Sequence, residues 1–76
     1  MKYTIRDLNE RAEYEDLGHG NEVYVIDNHR IALVPIWSYG GGRNENLVSI
    51  IVNGKMIATR CKRNNGLRKA LQEISE

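Results

Sequence analysis

Leu47-Val-Ser-Ile-Ile-Val-Asn-Gly-Lys-Met-Ile-Ala-Thr-Arg-Cys61, continuing through residues 62–74, decides the fold class. Two β-branched, apolar runs flank Asn53-Gly54. That dipeptide is the strongest short hairpin signal, because a tight hairpin turn needs residues that accept positive φ. Pairing outward from the turn sets Ile51 opposite Met56 and Ile50 opposite Ile57. Beyond Cys61 the period changes. Leu67, Ala70, Leu71 and Ile74 fall at i, i+3, i+4 and i+7, a complete apolar helix face, with Asn64 or Asn65 as its N-cap. A hairpin feeding an amphipathic helix is an α+β element.

Upstream, residues 40–46 (Gly-Gly-Gly-Arg-Asn-Glu-Asn) read as a flexible connection. Before them, Glu22 to Asp27 and Arg30 to Tyr39 read as strands around an Asn28-His29 loop. That register puts Ile26 opposite Ile31 and Tyr24 opposite Leu33 on one face. Val25 with Ala32 and Val23 with Val34 take the other. Pro35 lacks a backbone donor and calls for an edge or a bulge. Gly18-His19-Gly20-Asn21 is a turn cluster. Thr4 to Leu17 reads as a helix: Thr4 and Asp7 are spaced as a capping box, Ile5, Leu8 and Ala12 form a narrow stripe, and Gly18 stops it. The expectation is one α+β domain over residues 1–76. Its order is αββββα, with a four-stranded antiparallel sheet and one helix at each end of the chain.

A chain of 76 residues buries only about 60% of its unfolded surface, so its stability is marginal. The single cysteine excludes an internal disulfide and fits a reducing compartment. The N-terminus lacks the apolar stretch of a signal peptide. The longest mostly apolar run, Ile31 to Trp37, is strand length, far short of the ~20 residues that cross a membrane. These features point to the cytoplasm. Net charge is +1, but it is segregated. Residues 1–22 hold six acids and three bases, whereas residues 46–72 hold six bases and no acid. Either the two ends pair with each other or they present fields of opposite sign. Both hairpins are apolar on both faces, which is more than a two-layer domain with one wet sheet face requires. The second face is therefore covered by the N-terminal helix and the glycine loop, or it serves a partner or a second copy.

Little chemistry is on offer. His19, His29 and Cys61 lack zinc-site spacing, so no metal is expected. Cys61, His29 and Asp27 could be arranged as a nucleophilic site, yet nothing in their spacing requires it, and a packed cysteine is the plainer reading. Gly40-Gly41-Gly42-Arg43 leads into a strand rather than a helix, so it is not a phosphate loop. No cofactor and no catalysis are expected. Trp37, Tyr39 and Arg43 flank that loop and are of the types enriched in interface hot spots, with core packing as the alternative for Trp37. Arg60, Lys62, Arg63, Arg68 and Lys69 sit within ten positions. With a cap at Asn64 or Asn65, Arg68 and Lys69 would occupy a first helical turn, where cations oppose the dipole and an anion is welcome.

Val52-Asn53-Gly54-Lys55, a strand, a basic turn and Arg68-Lys69-Ala70 together resemble the second half of a double-stranded RNA-binding domain. The resemblance implies phosphate contacts from Lys62, Arg63, Arg68 and Lys69. It covers about the last third of the chain. The family has three strands against the four expected here, and its first helix contacts RNA, whereas the first segment here is acidic. In character, the chain looks like small phage-encoded inhibitors of the anti-CRISPR type: a short α+β chain with segregated charge, and with Trp37 and Tyr39 beside a glycine loop. That likeness implies a non-catalytic protein in a host cytoplasm that docks on a larger protein or nucleoprotein machine and occludes a working surface. Asp7, Glu10, Glu13, Glu15 and Asp16 would then imitate phosphates from one helix, unless that face is simply solvated. The nucleic-acid-binding module, RNA or DNA, is the alternative.

Overall fold

The computed structural model describes residues 2–37 and 43–75, and only the backbone of residues 37 and 43–46. Thr4 caps α1 (Ile5–Arg11). The Asp7 amide donates to the Thr4 hydroxyl at 3.3 Å, and the Thr4 amide donates to the Asp7 carboxylate at 2.9 Å. This is the reciprocal capping box expected from the sequence.

The helix does not reach Leu17. Ala12 is extended (φ −76, ψ 146), and Glu13–Gly18 forms β1, so the sheet has five strands rather than four. The physical reason lies in the spacing. The positions three and four beyond Ala12 are Glu15 and Asp16, so a helix would bury nothing more. As a strand the segment sets Tyr14 beside Tyr24, with ring centroids 5.0 Å apart. The Gly18-His19-Gly20 cluster, at φ 86, 55 and 83, is then a hairpin turn and not a helix stop.

The remaining elements are β2 (Asn21–Ile26), β3 (His29–Trp37), β4 (Arg43–Val52), β5 (Lys55–Lys62) and α2 (Arg63–Ile74). The strands run antiparallel in chain order, a simple meander. The β2–β3 turn is Asp27-Asn28 (φ 48 and 70) instead of Asn28-His29. Asp and Asn tolerate this conformation because their short polar side chains bond locally. Tyr24 therefore faces Ile31 and Ile26 faces His29, a slip from the expected pairing. The slip is by an even number of residues, so each side chain keeps its expected face.

Asn53-Gly54 turns as expected (φ 51 and 84), and Ile51 faces Met56. Ile50 faces Ala58 rather than Ile57 because the ladder shifts there, and it shifts again before Cys61. Arg60, at φ 55, lies in that second irregularity. Pro35 is buried in the central strand, and its missing donor is accommodated by a register shift between Pro35 and Trp37.

Both helices pack on the same sheet face. Leu8 from α1 and Leu67, Ala70, Leu71 and Ile74 from α2 close over Tyr24, Ile26, Ile31, Leu33, Val48, Ile50 and Val52. Ile31, Leu33 and Ile50 are fully buried, each worth roughly 1.5–3 kcal/mol relative to exposure. α2 begins at Arg63 with Lys62 as N-cap, two residues or more before the expected cap. Starting there brings Gly66 against the sheet, where a Cβ would lie 2.5 Å from Ile50 Cδ1. The absence of a side chain at Gly66 lets helix and sheet approach closely. The termini meet where the Tyr3 amide donates to Ser75 Oγ at 2.9 Å. No helix among the described residues is long and apolar enough to cross a membrane.

Candidate binding surfaces

Because the two helices share one side, neither covers the other. A ladder row crosses all five strands on that open side: Glu15, Val23, Ala32, Ile51 and Met56. A second row reads Glu13, Val25 and Arg30, and a third begins with Val34 and Ser49. Met56 is 58% exposed and Val34 36%, whereas Val23, Ala32 and Ser49 on the same side are buried. The alternation of side chains along a strand puts these residues on one surface. It is apolar through the middle and acidic along the β1 edge. The N-terminal helix thus does not cover this face, and residues 38–42 lie outside the described part of the chain.

The acids of the first segment do not share one helix. Asp7 is held by the capping box and lies 3.8 Å from Arg11. Glu10 pairs with Arg6 at 3.3 Å. Glu13, Glu15 and Asp16 are exposed on β1, an edge strand, where Asp16 also accepts the Gly18 amide. A phosphate-mimicking helix is therefore corrected to an acidic strand edge beside the open face.

The basic block is assembled as its spacing suggested, with one exception and one change. Arg63 is committed internally. It donates to both carboxylate oxygens of Glu22 at 3.0 and 3.1 Å and to the Tyr24 hydroxyl at 2.7 Å. The Glu22 contact holds the guanidinium charged well above its ordinary range. Tyr14 donates to the same carboxylate at 2.7 Å, and this bond, followed by burial and nearby negative charge, pushes its phenol up to about 12. This Tyr14–Glu22–Arg63–Tyr24 network went unread in the sequence, because it exists only once residues 13–18 are a strand and Tyr14 lies opposite Tyr24.

The change concerns Arg68 and Lys69. With α2 starting at Arg63 they fall in its second turn, so the dipole argument made for them does not apply. They nevertheless converge with Arg60 and Lys62. These four cations, with Leu47, Cys61 and Asn65, line a depression of about 600 Å³. Cys61 itself is buried, with Sγ 3.4 Å from the Val48 carbonyl. His29 sits at the opposite end of the strands, against Asn53 and the Tyr3 ring. The imagined Cys61–His29 site is therefore not assembled. Asp27 holds the near end together. It accepts from Tyr3 at 2.9 Å and from Arg11 at 2.7 Å, which lowers its pKa.

Trp37 and Arg43 pair across the backbone of β3 and β4, their side chains being outside the described structure, as is Tyr39 entirely. Among the described residues no group of His, Cys, Asp and Glu converges as metal ligands. The chain matches no family model, no curated protein and no solved structure.

Proposed function

We propose that this is a small non-catalytic binding protein that docks its open sheet face on a larger protein or nucleoprotein machine and occludes a functional surface there, as anti-CRISPR-type inhibitors do. The observation that carries this reading is the sheet face turned away from both helices, where Met56 and Val34 are exposed beside the row Glu15–Val23–Ala32–Ile51–Met56, whose Val23 and Ala32 are themselves buried. Leaving the Met56 and Val34 side chains in water is unfavourable, and exposed apolar groups gathered on one face mark interaction sites. Glu13 and Glu15 of β1 give the patch one charged rim. The complementary partner surface is apolar at its centre and basic beside it. Charge on that rim would speed encounter, and the apolar centre would hold the complex.

The test is capture from a bacterial lysate treated with nuclease, comparing the natural chain with Val34→Glu and Met56→Glu. Both positions are exposed, so neither change disturbs the core. The expected result is a defined protein retained by the natural chain and lost from both variants. Equal retention by all three, or nothing retained after nuclease, would refute the docking face.

A further inference from the structure

We propose that β1 is an open docking edge that takes an extended, basic segment of a partner protein as a further strand of the sheet. β1 stands at the end of the strand order and pairs with β2 on one side. Alternate residues of an edge strand turn their backbone N–H and C=O groups outward. Glu13–Gly18 therefore presents a row of donors and acceptors at the spacing of a ladder. A strand added there satisfies that row: its main-chain hydrogen bonds supply affinity, and its alternate side chains supply specificity.

The two edges of the sheet are not equivalent. The β5 ladder shifts register twice, and Arg60 stands at φ 55 in the second irregularity. Bulges bend and twist an edge away from further pairing. β1 keeps a regular register from Glu13 to Asp16, and extended backbone begins one residue earlier, at Ala12 (φ −76, ψ 146). It also carries Tyr14 and Leu17, both large and half-exposed. Tyr14 is set in place before any partner arrives. Its hydroxyl donates to Glu22 at 2.7 Å, and its ring lies against Tyr24 of β2. A side chain on an added strand meets the other flank of that ring, already ordered.

Charge decides which strand fits. Glu13 and Glu15, opposite Val25 and Val23, share the open side of the sheet, and Tyr14, opposite Tyr24, takes the helix side. The strand also holds Asp16 and has no base. Pairing β1 with β1 of a second copy would gather carboxylates from both chains, which is destabilising in a sheet. A strand with Lys or Arg at alternate positions instead sets cations beside Glu13 and Glu15 and an apolar side chain beside Tyr14. The matching segment therefore alternates basic and apolar residues. Its contacts are the backbone edge and both sides of β1, so this edge and the Val34–Met56 face can each hold or fail alone.

The test is an NMR titration of the isotope-labelled protein with a capped peptide of about seven residues that alternates lysine with valine, taken to about 1 mM. Two further versions are N-methylated at every lysine or at every valine, which removes the donors along one edge of the peptide or the other. Shift changes centred on Glu13–Gly18, slower hydrogen exchange at alternate β1 amides, and loss of binding by at least one methylated version are expected. Glu13→Lys with Glu15→Lys, both at exposed positions, should weaken the lysine peptide roughly tenfold or more and turn the preference to a glutamate–valine peptide. Val34→Glu and Met56→Glu should retain binding of the lysine peptide. No change at β1 at about 1 mM peptide, equal binding of the glutamate peptide by the natural chain, undiminished binding of both methylated versions, or changes centred on β5 or on Val34 and Met56 would each overturn the assignment. Slowed exchange at the same amides in concentrated protein without peptide would give the edge to a second copy and overturn it too.

Discussion

Gly66 offers a sharp test of how closely α2 sits on the sheet. Replacing it with Ala improves helix propensity by about 0.8–1 kcal/mol. Against that, the new methyl would lie 2.5 Å from Ile50 Cδ1, 2.7 Å from Ile50 Cγ1 and 3.1 Å from Cys61 Sγ. Carbon atoms prefer about 3.5–4.0 Å, so the overlap is near one ångström at two atoms. Ile50 is 0% exposed and cannot swing into solvent. Overpacking of this kind costs about 1–3 kcal/mol, and here it should exceed the propensity gain. With two atoms overlapping, the upper part of that range, about 2–3 kcal/mol, applies, so the net loss is about 1–2 kcal/mol, or a fall in melting temperature of roughly 4–16 °C for a domain of this size.

Denaturant unfolding followed by far-UV circular dichroism measures this. A second variant separates the mechanism from generic loss. Ile50→Val alone should cost about 0.5–1.5 kcal/mol, yet it removes the Cδ1 atom that blocks the alanine. The double variant should therefore be more stable than the sum of the single effects by about 1 kcal/mol. A Gly66→Ala protein as stable as the natural one, or strictly additive changes, would refute the close approach.

Three further outcomes follow from local geometry. Asn53 is at φ 51 and its Oδ1 accepts the Arg30 amide at 2.8 Å, linking the two hairpin turns. Asn53→Ala should cost about 1–2 kcal/mol in chemical denaturation, through both the turn and the orphaned amide. Tyr14 has its folded pKa raised from 10.0 to about 12, so its neutral form favours the fold below pH 10, and that contribution disappears between about 10 and 12. A tyrosinate absorbance titration should show a late step that Tyr14→Phe removes. Asp27 has its folded pKa lowered, first by the Tyr3 hydrogen bond and then by Arg11, so it stabilises the fold above about pH 4 and ceases to as pH falls through the folded value. Asp27→Asn tolerates the same turn conformation and should flatten the acid side of the stability–pH curve; an unchanged acid slope would contradict the network.

The parts legible in the sequence were those carried by local rules. The Asn53-Gly54 turn, the Thr4–Asp7 capping box and the Leu67–Ile74 face each depend on neighbours a few residues apart, and each appears as read. Residues 13–18 were illegible for a physical reason. Their strand is fully exposed, so no hydrophobic alternation marks it, and only pairing with β2 makes it extended. The start of α2 was missed because Lys62 caps it without a side-chain hydrogen bond, leaving no Ser, Thr, Asp or Asn at the boundary. The basic candidates were readable as a block, but which of them would be neutralised was not. Arg63 and Glu22 are 41 positions apart, and only the folded sheet brings them together.

The meander has a kinetic consequence. Every strand pairs with its immediate successor, and α2 packs mainly on the two strands that precede it. The strand pairings are therefore reached by closing successive hairpins, which favours rapid assembly. The longest closures are those of Arg63 on Glu22 and Tyr24 and of α1, whose contacts with α2 and the Tyr3–Ser75 hydrogen bond span nearly the whole chain. Assembly should begin at the hairpins of β3, β4 and β5 with α2 and finish when the N-terminal helix docks. Amide hydrogen exchange should reproduce that order in reverse, with α1 and β1 opening first while the central strands stay protected until global unfolding.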